Sequence, residues 1–390
     1  MITLSNYKYV NSSDTFLQVC SSLTQKKEFA IDLEFDKNRF RYGFNLCLMQ
    51  IYTGEECFLI DPLSVDVSAI FPVLEDPSIR KICFSFSEDL RLLHLLGCKP
   101  KGLYDLKIAA SLLNFPPTSL NTLLNQILEI NIDKGSQQSN WFTRPLSKDQ
   151  LKYAANDVLF LLDLKKMLVE NVEKKKMQDW VIQENESIEA SDYSGEKHKS
   201  VLKEKDKKGF SEFHWYVYTK LIELREQKAE NLNRPSFKVL DKQWLHKLAH
   251  QPDAVNKWLK QHGIHPTLKN QTTQEEFNLV LQKSISEASE KGLSKKKKAF
   301  NSLSREEYQK VQEFQRALKQ AKNKYYSRIQ KLMKEEFGEY AQNFILNNRL
   351  IQELFEGNQK NLLPYKKDLI DQFSSELGLS LSGFTYSKPG

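Results

Sequence analysis

Hydrophobic positions change their period several times along the chain, and those changes divide it. Phe29 to Phe35 (FAIDLEF), Leu46 to Tyr52 (LCLMQIY) and Cys57 to Ile60 (CFLI) are short apolar runs bounded by polar or glycine-containing turns, the pattern of strands. Helical spacing follows them. From Glu88 to Leu96, and from Ser147 to Val172, apolar residues recur at three and four, as Leu151, Ala155, Val158 and Leu162 do. The second stretch predicts one buried helix stripe with Ser147 as its N-cap. Short strands interleaved with such helices predict an α/β domain with a mixed sheet, spanning residues 1–182.

Between Gln183 and Gly209 aromatic residues nearly vanish. An acidic, serine-rich stretch (QENESIEASD) passes into a lysine-rich one (KHKSVLKEKDKK) with no apolar period, which predicts an interdomain linker over 183–208. Thereafter the spacing is helical. Phe213, Val217, Leu221 and Leu224 share a face, Asp241 can cap the helix carrying Leu245 and Leu248, and Asp253 can cap another ending near Gly263. A second break falls at SEKGLSKKKK, residues 289–298. Beyond it Ser304 can start a long helix, followed by a helical pair to about Leu377. Two all-α domains are therefore expected, at 209–288 and 299–390.

Length agrees with several domains, since 390 residues exceed the roughly 100–200 that one core usually organises. The composition, 40% hydrophobic and 27% charged, excludes a wholly disordered chain. A net charge of +7 permits a polyanionic partner without requiring one. Met1 to Gln18 has neither a basic start before an apolar stretch nor a bilayer-spanning run, so a cytoplasmic location without membrane association is expected. The five cysteines (Cys20, Cys47, Cys57, Cys83 and Cys98) are odd in number and form no CxxC pair, which predicts reduced, buried thiols.

The chemistry begins inside FAIDLEF. Asp32 and Glu34 alternate on an otherwise apolar strand, so their carboxylates project to the same side. Grouping two such charges without a cation is opposed by desolvation and by repulsion, which makes a divalent metal the natural reason for the pair. An edge strand facing solvent is the alternative. Asp89 opens the amphipathic helix of SFSEDLRLL, where an acid in the first turn is ordinary. In YAANDVLFLL, Tyr153 and Asp157 are four apart and share a helix face.

Asp-x-Glu on a strand, a later helix Asp, and Tyr-x-x-x-Asp on a final helix occur here in the order found in the DEDDy exonucleases. Residues 1 to about 175 resemble the ribonuclease D catalytic domain further, through LIDPL, YDLKIAASLL, the SNWFTRPL segment and LSKDQLKYAANDVLFLL. The resemblance implies a ribonuclease H-like 3'→5' exonuclease fold in which Asp32, Glu34, Asp89 and Asp157 bind two Mg²⁺ or Mn²⁺ ions and Tyr153 orients the attacking water. Two departures stand out: Cys83 occupies a position where the family often has histidine, and YDL replaces a frequent FDT, leaving Asp105 a structural acid. Lys134, Trp141 and Arg144 are candidates to line a single-strand path, with domain packing as the alternative.

Residues 209 to 282 resemble the helicase-and-ribonuclease-D C-terminal (HRDC) module, through LIELREQKAENLNRPSFKVLDKQWLHKLA, and 300 to 377 resemble a degenerate second copy. These resemblances imply helical nucleic-acid-binding domains. The activity expected is removal of 3'-terminal nucleotides from RNA, with transfer RNA precursors favoured and 5'-monophosphates released. Two alternatives stand beside it: a DNA exonuclease of the Werner or proofreading type acting on single-stranded DNA, and an inactive nucleic-acid-binding scaffold.

Overall fold

The computed structural model describes residues 7–132, 135, 138–193, 202–297, 305–360 and 362–379. Six strands form one mixed sheet: β1 (Tyr7–Val10), β2 (Glu28–Lys37), β3 (Phe44–Tyr52), β4 (Cys57–Ile60), β5 (Arg80–Cys83) and β6 (Leu103–Asp105). Their order is β1-β4-β3-β2-β5-β6. β1 runs parallel to β4, β4 antiparallel to β3, and β5 parallel to both β2 and β6. The three apolar runs of the sequence are β2, β3 and β4. β3 is buried continuously from Leu46 to Tyr52, as a strand covered on both faces must be.

Among the described residues, eight α-helices accompany the sheet: α1 (Ser13–Leu23), α2 (Phe71–Glu75), α3 (Ser87–Leu96), α4 (Leu106–Leu112), α5 (Leu120–Leu128), α6 (Lys148–Leu159), α7 (Leu161–Lys174) and α8 (Gln178–Glu189). Ser147 does cap α6, in a reciprocal capping box with Gln150. The single helix expected from Ser147 to Val172 is two, with Phe160, at φ −104°, ψ −1°, a turn residue that ends the first and precedes the second. The buried stripe continues across that break through Leu161, Leu164, Leu168 and Val172. α8 carries helix through the first residues of the stretch expected as linker, and it buries Val181 and Asn185.

Two positions near β5 show how tightly the sheet edge is built. Lys81 is fully buried, and its ammonium donates to the carbonyls of Asp76 (2.6 Å) and Ile79 (2.7 Å); burial pushes its pKa down to about 8. Gly102, at φ +66°, has no room for a side chain, since a Cβ would lie 2.9 Å from the Ile79 carbonyl oxygen.

The helices after residue 304 belong to the same compact unit as the sheet, and do not form the separate domain expected at 299–390. They are α13 (Arg305–Ala321), α14 (Ser327–Phe337), α15 (Glu339–Ile345), α16 (Asn348–Phe355) and α17 (Pro364–Glu376), the labels α9 to α12 being those of the second unit below. Specific side chains account for the difference. Asn114, just past α4, accepts the N–H groups of Tyr340 (2.8 Å) and Ala341 (3.2 Å), capping α15. Gly338 is required there, since a Cβ would fall 2.1 Å from Asn114 Nδ2. On α8, Glu184 accepts from the Tyr365 hydroxyl (2.5 Å) and pairs with Lys366 (2.8 Å), while Trp180 stacks on Tyr365 at 5.1 Å. Ser304, expected to start α13, lies outside the described residues.

The second unit consists of the described residues of 35–45 and 196–304. Its helices are α9 (Glu212–Asn231), α10 (Ser236–Val239), α11 (Lys242–His250) and α12 (Gln271–Glu290). Asp241 caps α11 by accepting the Gln243 N–H at 2.9 Å. The helix expected after Asp253 is a 3₁₀ segment, Pro252–Lys260. Buried Arg225 pairs with Glu226 (2.7 Å), which also accepts the Ser236 hydroxyl (2.6 Å), so this Arg-Glu pair fastens α9 to the start of α10. Among the described residues no helix is long and apolar enough to cross a membrane. All five cysteines are buried, and none is in a disulfide among the described residues.

Candidate active site

β2 holds Asp32 and Glu34 half-buried, alternating with the fully buried Ile31 and Leu33. α6 contributes Asp157, and these three side chains offer oxygens that all lie within 4.8 Å of one another. Tyr153 lies one turn before Asp157 on the same face of α6, close enough that each side chain shifts the pKa of the other. Asp89, in the first turn of α3, stands outside that trio, yet its charge acts on both Asp32 and Glu34. It is 7% exposed, and its Oδ1 accepts no hydrogen bond.

Every acid in this group holds its proton more tightly than usual. Burial is the largest cause for each. At Asp32 the charges of Asp89, Asp157 and Glu34 add to it, and at Glu34 those of Asp157 and Asp89. Asp89 and Asp157 are both pushed up to about 7. Tyr153 is raised as well, by burial and then by Asp157, Glu34 and Asp32. Like charges gathered out of water without a counterion give this signature.

The donor set fits hard divalent cations. All four groups are carboxylates, no thiolate or imidazole joins the cluster among the described residues, and the buried, unpartnered Asp89 oxygen is what a cation would satisfy. Beside the acids opens a cavity of about 350 Å³, whose wall includes Asp32, Tyr153, Asp157, Ser119, Asn121 and Lys107. That volume is in the range of a small-ligand site.

The remaining expectations fall elsewhere. Lys134 lies outside the described residues. Trp141 is buried, its ring 6.1 Å from that of Tyr153, where it packs against the tyrosine. Arg144 uses all five of its N–H groups within the protein: on Asp61, and on the carbonyls of Cys47, Trp141 and Thr143. Cys83 is buried at the end of β5, opposite Asp105 of β6. Asp105 itself carries more than a structural acid must, since its carboxylate holds the turn before α3. The sequence signal for that role was its N-cap position before Leu106–Leu112, where it accepts the Lys107 N–H.

Residues 7–173 match a family model described as a 3'-5' exonuclease. Ribonuclease D of Haemophilus influenzae is 38% identical over 172 residues, 43% of each chain. Ribonuclease D of Zymomonas mobilis is 31% identical over 262 residues, covering 65% of this chain and 67% of that one. For several other curated relatives, such as the ribonucleases D of a Shewanella species and Musicola paradisiaca, the match spans a little under half of their length. The crystal structure of Escherichia coli RNase D, titled an exoribonuclease involved in structured RNA processing, superposes with a TM-score of 0.66 at 21% identity, over 95% of this chain and 99% of that one. At that identity the superposition speaks for the fold.

Proposed function

The chain belongs to the ribonuclease D family, and we propose that it is a cytoplasmic 3'→5' exoribonuclease that removes nucleotides one at a time from RNA 3' ends and releases 5'-monophosphates. One observation carries this reading: Asp32, Glu34 and Asp157 meet within 4.8 Å, with Tyr153 one helical turn before Asp157 on α6. Asp32, Glu34, Asp89 and Asp157 would hold two divalent cations, Mg²⁺ or Mn²⁺, whose chemistry is to neutralise the scissile phosphate and to acidify water.

The chain's own groups do the rest. Tyr153 keeps its proton at neutral pH, because burial and the surrounding carboxylates oppose the phenolate. Its hydroxyl therefore orients the attacking water by hydrogen bonding and does not act as a strong base. Trp141 fixes the tyrosine ring. The cavity receives the terminal nucleotide, with Lys107 as a cation on its wall. The helical second unit, read as HRDC-like, supplies affinity for longer RNA through its basic residues, and transfer RNA precursors are the substrate that the ribonuclease D reading favours.

Digesting 5'-labelled single-stranded RNA and DNA of one sequence, with Mg²⁺ and with EDTA, tests this. RNA should shorten from its 3' end only with metal, and the product should be 5'-monophosphates. Preferential cleavage of DNA would transfer the assignment to a DNA exonuclease. Retardation of RNA with no shortening would leave a binding scaffold.

A further inference from the structure

Asp105 is 5% exposed, and both of its oxygens are occupied. Oδ1 accepts the N–H groups of Ser85 (2.8 Å) and Lys107 (2.9 Å), and Oδ2 accepts that of Phe86 (2.9 Å). Ser85 and Phe86 form the turn between β5 and α3. The Phe86 carbonyl then accepts the Leu90 N–H at 2.9 Å, the first turn of the helix on which Asp89 lies. Ser85 sits at φ +62°, a conformation that a non-glycine residue keeps only when its surroundings hold it. The Asp105 carboxylate is that hold, three backbone N–H groups sharing its two oxygens.

Asp105 is itself fixed from α8. Its N–H donates to Asn185 Oδ1 at 2.8 Å, and Asn185 Nδ2 donates to the Val181 carbonyl at 2.7 Å. A backbone N–H can only donate and a carbonyl can only accept, so the amide has one orientation that satisfies both. Four residues on, Glu189 accepts the Leu103 N–H at 2.6 Å, so α8 grips β6 at two points. Next to Asn185, Glu184 is the residue bonded by Tyr365 and Lys366 of α17.

We infer that Asp105 is a positioning residue for the metal-binding carboxylates: it sets the turn that places Asp89, and Asn185 holds it in that place. This rests on the reading of Asp89 as a metal ligand. Outer groups that orient ligands in this way commonly change metal affinity by about 10–100-fold when removed.

The test is Mn²⁺ binding to the full-length protein, read from the electron paramagnetic resonance signal of free Mn²⁺, beside a thermal melt. Asp105→Asn is nearly isosteric but turns an amide N–H₂ or a single shared oxygen toward donors that both oxygens now serve. It should weaken Mn²⁺ binding by about 10–100-fold with a near-normal melt, and excess Mn²⁺ should recover most of the hydrolysis rate. Asn185→Ala should weaken binding in the same direction by a smaller factor. Asp89→Asn serves as the reference. If Asp89→Asn binds Mn²⁺ normally, the metal-site reading itself fails. If Asp89→Asn weakens binding while a folded Asp105→Asn binds as the parent does, the positioning role is overturned. Should Asp105→Asn not fold, the affinity of Asn185→Ala decides on the same terms, an unchanged value overturning the inference.

Discussion

Arg144 closes a two-pronged ion pair on Asp61, Nε to Oδ2 and Nη2 to Oδ1, each 2.7 Å. Asp61 follows the end of β4, and Arg144 lies in the loop that leads into α6, so the pair ties the sheet to the helix that carries Tyr153 and Asp157. Burial alone would raise the Asp61 carboxyl. The Arg144 fork, the Tyr9 hydroxyl and the Leu63 N–H outweigh it and bring the pKa down to about 2. A depressed carboxylate stabilises the fold above its unfolded value near 4, and that contribution is lost as pH falls toward 2. Arg144→Gln should therefore cost roughly 3 kcal/mol at neutral pH, because it leaves Asp61 buried with its charge uncompensated. The gap from the parent should close between about pH 4 and pH 2. Denaturant melts across that range measure it; a gap that stays constant with pH would show that the pair contributes through packing alone.

Much of the candidate site was legible in the sequence because it obeys short periods. Asp32 and Glu34 stand out as polar interruptions two apart on an apolar strand, and Tyr153 and Asp157 as neighbours one helical turn apart. Asp89 has no such mark, since an acid in a first helical turn is commonplace; only the order of the motifs singled it out. The hold of Asn185 on Asp105 could not be read at all. It joins residues 80 apart with no period between them, and the polar run QENESIE disguised α8 as linker. The docking of α15 and α17 was hidden for the same reason: it depends on Asn114, Gly338 and Glu184 meeting partners from distant parts of the chain.

The carboxylate cluster predicts an inverted pH dependence for metal-free protein. Asp89 and Asp157 are raised to about 7, so between pH 4 and pH 7 the folded chain holds protons that the unfolded chain has released. Stability due to these groups is thus fully present below about pH 4 and declines as pH rises through 7. Mg²⁺ or Mn²⁺ added above pH 7 should restore it, and Asp157→Asn should raise the metal-free melting temperature at pH 8 while abolishing hydrolysis. Scanning calorimetry with and without EDTA checks both. A metal-free melting temperature that climbs from pH 5 to pH 8 would contradict the clustering of these acids.

Tyr153→Phe separates chemistry from packing. The ring stays against Trp141, and only the hydroxyl is lost. Turnover should fall by roughly 10²–10⁴-fold, with RNA affinity little changed. Tyr153→Ala should add a loss of stability that Phe does not show. Single-turnover rates beside melting temperatures distinguish this from a packing role, under which the Phe variant would remain nearly fully active.

The C-terminal helices should prove part of the catalytic unit in solution. Glu184 and Lys366 are both nearly enclosed, with side-chain exposures of 12% and 11%, and the Tyr365 hydroxyl shares the same carboxylate. Removing one member of such a group leaves a buried charge unpaired, which is far more damaging than losing a surface ion pair. Glu184→Leu should accordingly destabilise the protein by roughly 3 kcal/mol, and Tyr365→Phe, which loses one hydrogen bond to a charged group, by roughly 1.5–3 kcal/mol. A chain ending at Ser191 loses α17 altogether and uncovers Trp180, whose ring stacks on Tyr365. It should melt well below the full-length protein and bind Mn²⁺ less tightly, because the helix that holds Asp105 has lost its outer support. If that truncated chain instead melts cooperatively at the full-length temperature, α8 is stable without its C-terminal cover, and the helices after residue 304 serve some purpose other than support of the site.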